Sequence, residues 1–225
     1  MKNTPDLVIF DLDGTVLDTL EDLADSVNSA LCANGFPTRT LTEIRSFVGN
    51  GIKNLILRSL PHETDGDTAD RVLTAFRAHY ADHCADKTRP YDGIPALLAA
   101  LKADGFRTAV VSNKTDGAVQ RLARQYFPGL FDFVTGEREG VARKPAPDSV
   151  NAALSALGAK KENAVYVGDS EVDVLTAQNA GIPAVIVTWG FRDESFLREK
   201  GAELIAHDAE ELEKLIRNSD FGLRN

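Results

Sequence analysis

The sequence predicts an α/β protein, a doubly wound parallel sheet interrupted early by a helical insertion. Three observations carry that expectation. Short apolar runs rich in β-branched residues stop abruptly at polar or glycine residues, as buried parallel strands do. From Gly105 onward such runs alternate with helical patterns, the rhythm of βαβ units. Between about Thr19 and Asp86, by contrast, only helical spacing occurs.

Taken in order, Leu7-Val8-Ile9-Phe10 reads as the first strand and ends at Asp11-Leu12-Asp13-Gly14-Thr15. Alternate residues of a strand share a face, so Asp11 and Asp13 are expected to point the same way. Gly14 lets the chain turn and leaves room for a close approach. Three helical faces follow. The first, through Leu20, Leu23, Ala24, Val27, Ala30 and Leu31, stops at Gly35. The second, through Ile52, Leu55, Ile56 and Ser59, stops at Pro61. The third runs through Val72, Leu73, Ala75, Phe76, His79 and Tyr80. Later strands are expected at Thr108–Ser112, Phe131–Thr135, Ala164–Gly168, Ala184–Thr188 and Glu203–Ala206. The helices between and after them are expected at Ile94–Ala103, Asp116–Tyr126, Asp148–Leu157, Asp173–Ala180 and Ala209–Arg217.

Open α/β sheets bind ligands at the carboxyl ends of their strands, and three more strand ends or loops carry chemistry. Ser112-Asn113-Lys114 closes the second strand, with Thr115 or Asp116 as N-cap of the next helix. Hydroxyl, amide and free N–H groups at a helix start suit an anion. In Arg143-Lys144-Pro145-Ala146-Pro147, the proline after Lys144 holds that residue extended and Pro147 suits a first helical turn. Val165-Tyr166-Val167-Gly168-Asp169 ends a further strand, with Asp173 four residues on. Taken singly, a solvated lysine and ordinary capping residues explain these stretches; taken in series they converge on one sheet edge.

This series resembles the haloacid dehalogenase superfamily, whose four motifs match Asp11 and Asp13, Ser112, Lys144, and Asp169 with Asp173. The resemblance implies a Rossmann-like core, residues 1–18 and 87–225, with an inserted α-helical cap over 19–86. It implies Asp11 as nucleophile forming an aspartyl-phosphate, and Asp13 as general acid, then base. Asp11, the backbone carbonyl of Asp13, and Asp169 would hold Mg²⁺, an ion that prefers oxygen ligands. Ser112, Asn113 and Lys144 would bind the phosphoryl group, and Asp173 would orient Lys144 or a metal-bound water. Clustered carboxylates agree with a cation, since one like-charged pair near 4 Å costs about 4 kcal/mol at an effective dielectric of 20.

Within the insertion, Phe47-Val48-Gly49-Asn50-Gly51 reads as a helix–helix turn or as a loop whose Asn50 or Lys53 meets the substrate's distal end. With Val187-Thr188-Trp189-Gly190-Phe191 it resembles the phosphoglycolate phosphatase branch. A phosphosugar mutase of the β-phosphoglucomutase kind, a pyrophosphatase, or a receiver-like signalling domain are the alternatives. A net charge of −9 argues against nucleic acid and anionic membranes as partners. A small phosphate ester is therefore the expected partner, and the protein itself is expected as a monomer or homodimer. No apolar run reaches membrane-spanning length, and Cys32 and Cys84 fit spectator thiols in a reducing cytoplasm. The four histidines form no site, because His79 and His83, one helical turn apart, lack a third ligand.

Overall fold

β1 (Leu7–Phe10) is buried along its whole length, so both its faces are covered and its continuous apolar run is explained. The computed structural model describes residues 5–49 and 51–218. After β1 the chain runs through the two-residue β2 (Leu17–Asp18) into helices α1 (Leu20–Ala33), α2 (Leu41–Phe47), α3 (Gly51–Ser59) and α4 (Gly66–His83). It returns through β3 (Arg89–Pro90). There follow α5 (Ile94–Ala103), β4 (Arg107–Thr115), α6 (Asp116–Tyr126), β5 (Phe133–Glu137), α7 (Asp148–Ala156) and β6 (Ala164–Gly168). After these come α8 (Glu171–Ala180), β7 (Ala184–Val187), α9 (Glu194–Glu199), β8 (Leu204–Ala206) and α10 (Ala209–Asn218), the last described element. The chain divides into two compact units, Met1–Leu17 with Pro90–Asn225, and Asp18–Arg89.

The first unit is a six-stranded sheet in the order β5-β4-β1-β6-β7-β8, with every pairing parallel. The order reverses beside β1, and this is where doubly wound sheets open a crevice at their strand ends. Leu7 and Ile9 pack with Ala109, Val111 and Tyr166 against Val150 and Ala153 of α7 and Ala177 and Ala180 of α8. β5 begins two residues later than the sequence pattern suggests. The Asp132 carboxylate accepts the Thr108 N–H at 2.9 Å, so strand pairing starts at Phe133. Phe131 turns aside to meet Phe127 and Phe10 edge-on, with ring centroids 5.4 and 6.2 Å away.

α8 begins two residues earlier than expected because Ser170 and Asp173 form a capping box, satisfying the orphan amides of the first turn. α9 went unforeseen in the sequence. It is only six residues long and buries Leu197 alone.

The second unit is helical throughout its described interior. α1 and α4 bury Leu23, Val27, Leu31, Val72, Phe76 and Tyr80, and the Phe76 and Tyr80 rings stack at 5.2 Å. Asp22 is buried with both carboxylate oxygens accepting the Lys87 and Thr88 amides, which ties the end of the unit to its start. α2 is a helix that apolar spacing did not reveal, though its Thr40/Glu43 capping box marks it. Neither Cys32 nor Cys84 is in a disulfide. No helix among the described residues is long and apolar enough to cross a membrane.

Candidate active site

Asp11 follows β1 directly, and its N–H donates to the Val167 carbonyl of β6 at 2.8 Å. The strand register therefore sets it beside the end of β6, where Asp169 sits. Between them the chain turns at Gly14, whose φ of +87° favours glycine. A Cβ there would stand 2.4 Å from Asp169 Oδ2, so the close approach also requires glycine. The same holds at Gly190, where a Cβ would meet that oxygen at 2.3 Å.

Asp169 is held from both sides. Thr15 Oγ1 donates to Oδ1 at 3.0 Å and the Phe191 N–H to Oδ2 at 2.8 Å. Trp189 Nε1 donates to the Thr15 carbonyl at 3.0 Å, so the loop after β7 fastens the turn that follows Asp11. Trp189 thus does more than fill space at a strand end.

Lys144 is buried, and its ammonium meets three oxygens. Asp173 Oδ1 and Asp11 Oδ1 each lie 2.8 Å away, and Tyr166 Oη lies 3.0 Å away. Tyr166 Oη in turn donates to Asp173 Oδ1 at 3.0 Å. Asp173 Oδ2 accepts from the amides of Asp169 and Ser170 and from Ser170 Oγ. Asn113 clamps the backbone of Lys144, accepting its N–H at 2.9 Å and donating to its carbonyl at 3.0 Å. The Asn113 amide thus acts on Lys144, where the sequence suggested a phosphate ligand. The segment around Lys144 closes a turn, with the Ala146 N–H on the Arg143 carbonyl.

The electrostatics follow from burial. Loss of water pushes the Asp11 carboxyl up to about 7; Lys144 opposes this, while Asp173 and Asp13 add to it. Burial also raises Asp169 well above the carboxylate range, reinforced by Asp173 and Asp11. Asp173 is buried too, but Lys144 and three hydroxyl or ammonium hydrogen bonds bring it below its usual value. Burial works against the Lys144 ammonium, yet Asp11 and Asp173 outweigh it and hold the group well above the ordinary lysine value.

Among the described residues, Asp11, Asp169 and Asp173 are the one group of three whose potential ligand atoms all lie within 4.8 Å of one another. Asp173 takes two donors on one oxygen and three on the other, whereas Asp169 takes one on each, so Asp11 and Asp169 keep the lone pairs that a cation would use. Asp11 Oδ1 is buried, and its neighbour of opposite charge is the Lys144 ammonium 2.8 Å away. A buried, all-oxygen donor set with carboxylate lone pairs to spare fits a hard divalent ion. The Asp13 carboxylate is engaged by Lys114, whose Nζ lies 2.8 Å from its Oδ1.

A family model for haloacid dehalogenase-like hydrolases matches residues 8–187. The chain belongs to the haloacid dehalogenase-like hydrolases. Within that family it is a phosphatase. The phosphoglycolate phosphatase of Cereibacter sphaeroides is 36% identical over 214 residues, covering 93% of this chain and 97% of its own. That of Neisseria meningitidis serogroup A is 34% identical over 200 residues, covering 87% and 85%. A crystal structure from Lactobacillus delbrueckii subsp. bulgaricus superposes with a TM-score of 0.92 at 38% identity, covering 97% of this chain and all of that one.

For this hydrolase, Asp11, Lys144, Asp169 and Asp173 are brought together, and Ser112 lies buried nearby on β4, its Oγ accepting the Lys114 N–H at 3.2 Å. Lys53 is an exposed residue of α3 in the helical unit, and Asn50 lies outside the described residues. His79 and His83 stack at 4.3 Å, with Ser26 and Asp86 on their Nδ1 atoms. Sequence reasoning missed Tyr166, Thr15 and Lys114. Tyr166 was hidden as one apolar-looking residue of a buried strand, and Lys114 as an ordinary loop lysine.

Proposed function

We propose that this hydrolase is an Mg²⁺-dependent phosphomonoesterase of a small phosphorylated acid, with 2-phosphoglycolate first. One observation supports the substrate: curated relatives 34–36% identical to this chain bear that name. One observation carries the chemistry. Asp11 is a buried carboxylate at the end of β1, with Oδ1 held 2.8 Å from the Lys144 ammonium.

Asp11 attacks phosphorus, an aspartyl–phosphate bond forms and the ester P–O bond breaks. Asp13 passes a proton to the departing alkoxide and later takes one from the water that attacks the phosphoenzyme. The second attack falls on phosphorus and frees Asp11 and inorganic phosphate. Lys144 and the Ser112 hydroxyl hold the phosphoryl oxygens, while Asp173, Tyr166 and Asn113 keep Lys144 in place. Asp11, the Asp13 carbonyl and Asp169 would hold Mg²⁺, which when bound neutralises phosphoryl charge and the crowded carboxylates. Asn50 and Lys53 are proposed contacts of the substrate's distal end, and residues 18–89 the cap that excludes water. A cytoplasmic setting accords with two cysteines that are not joined in a disulfide.

The test is turnover across a panel of phosphate esters, with Mg²⁺ and after exhaustive chelation. The expected result is highest kcat/KM on 2-phosphoglycolate and no turnover without the ion. Full activity after chelation would overturn the metal assignment, and a preference for hexose phosphates with a bisphosphate requirement would favour a mutase.

A further inference from the structure

The Lys114 side chain is almost fully enclosed, 2% exposed, yet its ammonium reaches Asp13 Oδ1 at 2.8 Å. Its position is built into the sheet. Between Val111 and Thr115 the β4–β5 register shifts, four steps of β4 being matched by two of β5 from Thr135 to Glu137. Such a bulge re-aims side chains at a strand end. Gly136 of β5 admits the displaced backbone, since a Cβ there would stand 2.4 Å from the Lys114 carbonyl.

We propose that Lys114 is the receptor for a second anionic group on the substrate, a carboxylate one carbon removed from the ester carbon. This deepens the reading of Asp13 as proton donor to the leaving oxygen, and rests on it. A general acid reaches its acceptor at about 2.6–3.2 Å. Lys114 Nζ therefore stands within about 6–8 Å of the leaving oxygen, according to which Asp13 oxygen faces it. In a 2-phospho acid the carboxylate oxygens lie about 3–4 Å from the ester oxygen. An ammonium hydrogen bond of about 3 Å then closes the gap. An ammonium carries three hydrogens, so it can hold Asp13 and a substrate oxygen together. Dry surroundings strengthen that attraction, and a neutral substituent at the same place would gain nothing from it.

The experiment compares 2-phosphoglycolate with 2-phosphoethanol, an ester of similar size that lacks the acid, in the presence of Mg²⁺. Wild-type kcat/KM should favour the acid by about thirtyfold or more, mainly through KM, as expected for one charge-assisted hydrogen bond. Lys114→Met should lose far more on the acid than on the alcohol and shrink that ratio to about threefold or less, while Lys114→Arg should keep most of it. The wild-type ratio needs no variant, so a Lys114→Met protein that fails to fold leaves the proposal exposed to refutation. A wild type that treats both esters alike, or a variant that loses equally on both, overturns it and leaves Lys114 as a positioning residue for Asp13. Absence of wild-type turnover on any phosphate ester would remove both this inference and the reading beneath it.

Discussion

Asp11 titrates in the fold near neutral pH, and this couples the stability of the metal-free protein to pH. Its carboxyl rises from 3.8 to about 7, chiefly because it is buried. A raised carboxyl means that the folded state keeps its proton longer than the unfolded chain. Stability is therefore lost as pH rises through the window between those two values and is flat above it. Asp169, also raised, adds in the same direction. Asp173, lowered, acts only below the ordinary carboxylate range.

At about 1.4 kcal/mol per tenfold, the Asp11 shift amounts to about 4 kcal/mol, of which about 3 kcal/mol falls between pH 5 and 8. For a chain of this size that corresponds to about 6–12 °C in melting temperature. A divalent ion binding the ionised carboxylates cancels the loss. Thermal melts by circular dichroism should show Mg²⁺ and chelator curves close together at pH 5 and separated by about 6–12 °C at pH 8. A separation that does not grow with pH, or one that persists unchanged in Asp11→Asn, would refute the reasoning.

Other substitutions probe the same site. Asp13→Asn should slow alkyl phosphates far more than p-nitrophenyl phosphate, whose leaving group needs no proton; equal losses in steady-state assays would remove Asp13 from that role. Tyr166→Phe deletes hydrogen bonds to Lys144 and Asp173 and should cost about 1–3 kcal/mol of stability in denaturant titration. Gly190→Ala sets a methyl 2.3 Å from Asp169 Oδ2 and should weaken Mg²⁺ by about tenfold or more in calorimetry. Unchanged affinity there would place the ion elsewhere.

Much of this architecture was legible because parallel strands buried on both faces are written as unbroken apolar runs. Leu7–Phe10 and Ala164–Gly168 begin and end where the runs do. Asp11 and Asp169 were legible as their terminal carboxylates. The sequence was silent where a side chain's task depends on a neighbour's geometry. Tyr166 has the periodicity of a core residue, and only the fold sets its hydroxyl against Lys144 and Asp173. Asn113 resembles an anion ligand until its amide is seen spanning the Lys144 backbone. Lys114 owes its place to a register shift, which no local pattern announces. The Thr40/Glu43 and Ser170/Asp173 capping boxes are local signals in the sequence for the starts of α2 and α8.

The central claim is that Asp11 carries the phosphoryl group. Borohydride reduction of enzyme quenched during turnover of 2-phosphoglycolate, followed by peptide mass spectrometry, reads it directly. An acyl phosphate at Asp11 is reduced to homoserine, so wild type should show homoserine at position 11. Asp11→Asn should show none and should turn over at least a thousandfold more slowly, as befits loss of a nucleophile. Turnover with no reducible adduct at Asp11, or an adduct on another residue, would contradict the account.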